Sequence, residues 1–350
     1  MHILEDNLYH ADIKSAAGAP VPWERFCGKT ILITGATGMI ASVIIDILMY
    51  RNHRKNQNTR IIAISRSEEK ARARFGIYFE DERFVYLSHD MTKPLPDVGA
   101  VDYILHAASN THPRAYATDP IGTIMTNVSG TKQLLDYAVE HGCERFLLFS
   151  SVEVYGENKG DVDRFDEGYL GYIDCNTTRS GYPEGKRVAE SLCNAYYAKH
   201  GQEFVIGRFS RVYGPTGLKE DSKAIAQFIQ KAVHGEDIVL KSEGNQLYSY
   251  TYVVDAAVAA FYLLLLSPAA SAVNVVDEES DITLKDLAAC LAKTAGRQVI
   301  FELPDAVEKA GYSTATKAIL DGSRLKALGW KPATHIQEGL QKTVQILKRG

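Results

Sequence analysis

The stretch Thr30–Ala41, TILITGATGMIA, decides how the rest of the chain is read. "TILIT" is a short apolar run rich in β-branched residues, which favours a strand. A glycine turn follows, and then "MIASVIIDILMYR" (Met39–Arg51), which reads as a helix. The turn has the pattern Gly35-x-x-Gly38-x-x-Ala41. Gly35 suits the tight turn, Gly38 lets the backbone approach a pyrophosphate, and a small residue at 41 lets helix and strand pack closely. The helix N-terminus then presents unpaired N–H groups and a positive dipole end to phosphate. A glycine turn alone says little. Between a first strand and a first helix it predicts a dinucleotide site.

Working outward, "RIIAISRS" (60–67), "FVYLSHDMT" (84–92), "VDYILHAAS" (101–109) and "RFLLFSSVEVYG" (145–156) read as further strands. Helical stretches such as "TIMTNVSGTKQLLDYAVEHG" (123–142) separate the later ones. Alternating strands and helices predict an α/β fold, a doubly wound parallel-sheet Rossmann domain. The remainder is less regular: a strand "FVIGRFSRVYGP" (204–215), a helix "SKAIAQFIQKAVHG" (222–235), a short strand "IVLK" (238–241) and amphipathic helices within 283–296 and 340–350. This predicts a smaller C-terminal α/β substrate lobe. The expected division is a leader over 1–28, a mainly NAD(P)-binding domain over 29–205 and a mainly substrate-binding lobe over 206–350, with segments interleaved. No internal repeat is visible.

Composition sets limits. The chain has 350 residues, 45% of them hydrophobic, and a formal net charge of -4. That balance argues against nucleic-acid binding as the main function. Five cysteines (Cys27, Cys143, Cys175, Cys193 and Cys290) form no C-x-x-C and read as reduced thiols. No Cys/His pattern of zinc spacing appears, so no metal site is expected. The first residues lack a signal-peptide core. The longest apolar run, Ala256–Leu266, is too short to span a bilayer and reads as a buried helix. A cytoplasmic protein without membrane contact is expected.

The chemistry-bearing residues cluster in the middle. "SGYPEGK" places Tyr182 and Lys186 four residues apart on one helical face. Such a pair arises in many helices without consequence. Here it follows "FSSVEVYG", where strand alternation puts Ser151 and Glu153 on one side of a strand end. Strand ends at the carboxyl edge of a doubly wound sheet face the ligand crevice. After the second strand no acid is present to bond the ribose hydroxyls of NAD. Ser65 and Arg66 stand there instead, which leaves NADP open beside NAD. Asp90 suits either the adenine amino group or a turn.

Together "TGATGMIA", "HAAS", "FSSVEVYG", "YPEGK", "RFSRVYGP", "YTYVVD" and "LGWKP" run in one order over nearly all of 29–345. In this the sequence resembles the extended short-chain dehydrogenase/reductase family of nucleotide-sugar epimerases, dehydratases and decarboxylases. The segments "HPRAYATDPIGTIMTNVSGT" and Glu167–Glu190, with Glu153, are most similar to the UDP-glucuronate decarboxylase and 4,6-dehydratase branch. The resemblance implies a retained NAD or NADP, a nucleotide-diphosphate sugar as substrate, and oxidation at C4 followed by loss of carbon dioxide or water. 4-Epimerisation is the alternative, and a reductase or non-catalytic nucleotide-binding relative a third reading. It implies catalytic roles for Tyr182, Lys186, Ser151 and Glu153. The implied cofactor site comprises Gly35, Thr37, Gly38, Met39, Ile40, Ser65, Arg66, Asp90, Met91, Ala107, Ala108, Ser109, Asn127, Ser150, Tyr182, Lys186 and Arg208. The implied substrate site comprises Thr111, Ser151, Glu153, Arg179, Tyr182, Ser210, Arg211, Lys223, Gln227 and Tyr248. Thr111 and Asn127 are alternatively structural, and Glu153 alternatively pairs with Arg179 or Arg211. The family usually has asparagine where this chain has Arg211 and arginine where it has Tyr248. The expectation is that Arg211 takes over the diphosphate contact. A homodimer is implied through helices near Ile121–His141 and Pro183–His200.

Overall fold

The computed structural model describes residues 2–111, 118–218, 221–302 and 316–350. The first six residues of the "HPRAYATDPIG" segment, 112–117, lie outside the described residues. A helix α1 (Asn7–Ala16) comes first. Then follow β1 (Thr30–Thr34), α2 (Met39–Lys55), β2 (Arg60–Ser65), α3 (Glu68–Phe75), β3 (Phe84–Ser88), β4 (Tyr103–His106), α4 (Pro120–Glu140), β5 (Arg145–Ser151), α5 (Gly181–His200) and β6 (Phe204–Phe209). The rest of the chain supplies β7 (Arg211–Tyr213), α6 (Ala224–His234), β8 (Ile238–Leu240), β9 (Leu247–Tyr252), α7 (Val253–Leu266), β10 (Ser271–Val275), β11 (Asp281–Thr283), α8 (Leu284–Ala295), β12 (Val299–Phe301), β13 (Lys317–Ala318), α9 (Ser323–Ala327) and α10 (Ile336–Arg349).

Seven strands form one sheet in the order β10-β6-β5-β4-β1-β2-β3, and every pairing in it is parallel. The chain steps outward from β1 to β3, then returns to the other side of β1 with β4. Loops leaving β1 and β4 therefore diverge, and the crevice between them is where such sheets bind ligands. Parallel strands covered on both faces need apolar residues at every position, which is why "TILI" and "RIIAI" show no alternation. Ile31, Ile33, Ile61, Ala63, Leu147 and Val205 belong to one core with α2 and the apolar α7. Leu32, Ile62, Ile64, Phe146, Leu148 and Ile206 belong to the other with α4 and α5. Among the described residues no helix is long and apolar enough to cross a membrane, and no group of side chains has metal-holding geometry.

The stretch "FVIGRFSRVYGP", read as one strand, is two. β6 ends at Phe209, and β7 leaves the main sheet to pair with β9. The break falls at Ser210, whose N–H donates to Val275 O at 3.0 Å and whose hydroxyl lies 2.7 Å from that of Thr251. β9 also pairs with β11 and β13, while β8 and β12 form a separate two-stranded sheet. The break carries Arg211 away from the main sheet and sets it beside β9.

Residues 2–28 pack against the body of the protein. The buried Asp46 of α2 accepts from Tyr9 (2.6 Å) and Tyr78 (3.2 Å) and pairs with Arg74. Three donors make a buried carboxylate tolerable. Asp12 accepts from Tyr252 at 2.8 Å and from Lys342 at 3.0 Å, while Arg349 lies 3.3 Å from Asp6.

Asp255, in the first turn of α7, is buried and accepts from the N–H groups of Ala333 (3.0 Å) and Thr334 (2.9 Å), joining α7 to the segment before α10. Burial pushes its carboxyl up to about 7, against those two N–H groups, with Asp277 and Asp12 adding to the rise. A carboxyl raised on folding contributes stability that is full below its unfolded value near 3.9 and is lost as pH climbs through its folded value. Asp255→Asn, which keeps one acceptor oxygen, removes that term. Urea denaturation between pH 4 and 7 should show wild type losing roughly 2–4 kcal/mol relative to the variant across this window. Parallel stability curves for the two proteins would show that Asp255 does not titrate there.

Candidate active site

The carboxyl ends of β1, β2, β4 and β5 open onto one cleft of about 810 Å³. At its floor Gly35 has φ +65°, and a Cβ there would lie 2.8 Å from the backbone of Ala107 and Ala108 at the end of β4. Only glycine allows this approach. Gly38 caps α2 without a side-chain hydrogen bond, and a Cβ on it would meet Gly35 O at 2.9 Å. The first N–H groups of α2 therefore face the cleft mouth uncapped, as an anion requires. Thr37, Met39 and Ile40 line the same wall.

The adenosine-side residues divide in character. Ser65 contacts Tyr86, hydroxyl to hydroxyl, at 3.1 Å. The Arg66 guanidinium lies exposed, 3.4 Å from Asn110 Oδ1. Asp90 lines the cleft with Met91 and also closes a turn, accepting from Thr92 N (3.0 Å) and Oγ1 (2.9 Å). These two bonds hold its carboxyl below the usual range. Asp90 therefore closes a turn and lines the cleft at once.

At the reacting end, Ser151 closes β5. Glu153 does not lie on a strand: the chain turns into a short 3-10 helix over Val152–Tyr155, with Glu153 N donating to Ser151 Oγ at 3.3 Å. The expected strand alternation is thus corrected. The turn, rather than the pleat, brings the two side chains into one cleft. Tyr182 and Lys186 enter from the first turns of α5, both buried. Burial pushes the Tyr182 phenol well above its ordinary value; a hydrogen bond from Ser151 works against this, and Glu153 adds to it. Lys186 donates to Phe149 O at 2.7 Å, and burial brings it down to about 8 while Glu190 opposes the fall. The Lys186 ammonium is turned to the β5 backbone.

Glu153 lies 3.3 Å from Arg179 and 3.8 Å from Arg211. The Arg211 guanidinium stacks on the Tyr248 ring, its carbon 3.5 Å from the centroid. Its Nη1 is buried and has no hydrogen-bond partner among the described residues. Ala107, Ala108, Ser109, Thr111, Ser150, Ser210, Lys223 and Gln227 also line the cleft. Lys223 is 3.3 Å from Asp221, and Gln227 donates to Ser222 O at 2.9 Å.

Two expected residues do not reach the lining. Arg208 is spent on Glu190 (2.6 Å), Tyr155 (3.2 Å) and Glu167 O (2.9 Å). Asn127 is fully buried on α4, donating to Thr123 O and accepting from Ser109 at 3.0 Å, so it orients a lining residue. Sequence reasoning missed Tyr250, Gln246 and Lys241, which line the cleft. Tyr250 had a legible signal: on a strand it shares a face with Tyr248. Among the described residues Gln246 Oε1 is buried without a hydrogen-bond partner, and no sequence pattern marks it.

The arrangement places a phosphate cradle at one end of a cleft. At the other stand a phenol, a hydroxyl, an ammonium and a carboxylate. The profile of the NAD dependent epimerase/dehydratase family matches residues 31–275. UDP-glucuronic acid decarboxylase 1 of Danio rerio is 32% identical over 323 residues, 92% of this chain and 73% of that protein. UDP-glucuronic acid decarboxylase 5 of Arabidopsis thaliana is 30% identical, covering 92% of this chain and 91% of that protein. Among solved structures, DesIV, a dTDP-glucose 4,6-dehydratase from Streptomyces venezuelae with NAD and TYD bound, superposes with a TM-score of 0.78 at 22% identity, over 92% of this chain and 97% of that one. UDP-glucuronic acid 4-epimerase from Bacillus cereus superposes with a TM-score of 0.76 at 20% identity, over 91% and 99%. With the glycine cradle and the Tyr182–Lys186 helix in place, these likenesses make the chain a member of the NAD-dependent epimerase/dehydratase family.

Proposed function

We propose that the protein is an NAD-dependent nucleotide-sugar lyase that oxidises the sugar at C4 and then removes carbon dioxide or water. The observation that carries this reading is the meeting of Ser151, Glu153, Tyr182 and Lys186 in the cleft that the Gly35–Gly38 cradle enters. Residues 29–205 mainly hold the cofactor in this reading and 206–350 mainly the nucleotide sugar. The cradle fits a pyrophosphate, since a side chain at Gly35 would close it. NAD, when bound, supplies the hydride acceptor and donor and a positive charge beside the tyrosine.

Tyr182 takes the C4 hydroxyl proton, and the Ser151 hydrogen bond favours the anion it needs. Ser151 then stabilises the developing ketone oxygen. Lys186, buried on the β5 carbonyl, adds positive charge within the same pocket. A 4-ketone weakens bonds at C5. Glu153 moves a proton at C5 or C6, which serves elimination of water or protonation after carbon dioxide departs. One observation favours epimerisation instead: both Glu153 oxygens face guanidinium groups, those of Arg179 and Arg211. A carboxylate engaged in this way is less free to carry a proton.

The homodimer belongs to this proposal. Ile121, Ile124 and Met125 on α4, with Val188 and Tyr197 on α5, are exposed on two helices that pack together. An apolar surface of this kind suits burial against a second copy. A cytoplasmic location is part of the same reading.

Incubation with a panel of nucleotide sugars, read by mass, is expected to show loss of carbon dioxide or water. A product of unchanged mass but altered sugar would move the assignment to epimerase. Tyr182→Phe should lower turnover by at least ~10²-fold in either case. Glu153→Gln should stop a lyase and spare 4-epimerisation, so a Gln variant that still releases carbon dioxide or water would remove Glu153 from the chemistry. Ile121→Glu on the α4 surface should shift the protein from dimer to monomer in sedimentation; a wild-type monomer would end the dimer proposal.

A further inference from the structure

The strand beside β1 ends in a pair of cations that the C4 chemistry does not use. β2 runs in register with β1, Ile64 opposite Thr34, and Ala36 N in the glycine turn donates to Ile64 O at 3.0 Å. A dinucleotide with its pyrophosphate on the N-terminus of α2 therefore lays its adenosine ribose over the end of β2. Ser65, Arg66, Ser67 and Lys70 line the cleft at that point. An acid there would accept from the ribose hydroxyls. The segment 64–67 contains none. The acids nearby are directed elsewhere: Glu68 pairs with Arg72 at 2.7 Å, Glu69 is exposed outside the lining, and Asp90 Oδ1 accepts from Thr92 N and Oγ1.

The backbone holds both cations in place. Ser88 Oγ donates to Arg66 O at 3.2 Å, and His89 N donates to Ser65 O at 3.1 Å. Ser67 caps α3, its hydroxyl accepting from Lys70 N at 3.2 Å. Lys70 thus stands in the first turn of a helix, where the dipole opposes a positive side chain. An anion set between the helix end and the ammonium turns that opposition into attraction. The Arg66 guanidinium, just before the cap, meets a neutral amide oxygen, Asn110 Oδ1, at 3.4 Å.

We propose that Arg66 and Lys70 bind a phosphate on the 2′-oxygen of the adenosine ribose, so that this cleft holds NADP more tightly than NAD. This rests on the dinucleotide reading of the cleft and leaves the C4 step as it stands, because the nicotinamide ring is the same in both. A phosphomonoester carries roughly −1.5 to −2 charge and three acceptor oxygens. A guanidinium fork can bond two of them, while an ammonium supplies a point charge. The Ser67 hydroxyl, which accepts from Lys70 N, keeps its own proton to donate to the third.

The test titrates the protein, stripped of bound dinucleotide, with NADP and with NAD, and reads dissociation constants by calorimetry. Wild type should bind NADP at least ~10-fold more tightly than NAD. Arg66→Gln and Lys70→Gln should each weaken NADP at least ~5-fold and change NAD less than ~2-fold. Retained NAD binding also reports a folded variant. An equal fall for both dinucleotides in the two variants would assign these side chains to the part that NAD and NADP share, and would overturn the inference. Wild-type affinity for NAD equal to or above that for NADP would overturn it too. Either result leaves the proposed function standing, since the mass of the sugar product does not depend on which dinucleotide binds better. A wild type that binds neither would overturn both readings together.

Discussion

The contact between Gly35 and the backbone of Ala107 and Ala108 governs the geometry of the site. It joins the ends of β1 and β4, the two central strands between which the direction of winding reverses. A β-carbon at Gly35 would sit 2.8 Å from backbone atoms that cannot move without displacing β4. Because that approach is closed to other residues, the α2 N-terminus and the loop after β4 share one wall of the cleft. Ser109 follows directly and is held by Asn127, so the placement of the loop carries into α4. α4 packs on α5, the helix that brings Tyr182 and Lys186. The cradle and the proton-moving pair are therefore positioned by one connected set of backbone contacts.

Much of this was legible beforehand because parallel strands covered on both faces leave an unmistakable trace. Runs such as "ILI" (31–33) and "FLLF" (146–149) are apolar throughout, and glycines mark the turn. What was not legible depends on where a strand stops. Ser151 and Glu153 were placed by alternation, yet β5 ends at Ser151 and a 3-10 turn sets the next carboxylate. Likewise β6 and β7 read as one run, because nothing in "RFSRVYG" signals that Ser210 will bond sideways to Thr251 and Val275. Arg208 illustrates a third limit. Its position in the motif suggested a ligand contact, but Glu190, eighteen residues earlier, claims its guanidinium. Partner choice between side chains distant in sequence leaves no periodic signal.

The electrostatics of the two cleft ends rest on different means. At the cradle, positive potential comes from backbone N–H groups, whose approach depends on glycine at 35 and 38. At the reacting end it comes from arginines, one of them aligned by an aromatic ring.

The contacts of the N-terminal segment bear on how the chain can be made. Asp12 is synthesised 330 residues before Lys342, and Asp6 precedes Arg349 by a still longer interval. Tyr9, by contrast, finds Asp46 after only 37 residues. During translation α1 can settle on α2 early, and Asp12 can meet Tyr252 before Lys342 emerges. A chain interrupted before α10 would leave Asp6 and Asp12 without the cations of Arg349 and Lys342, so α1 is tied first to α2 and only later to α10.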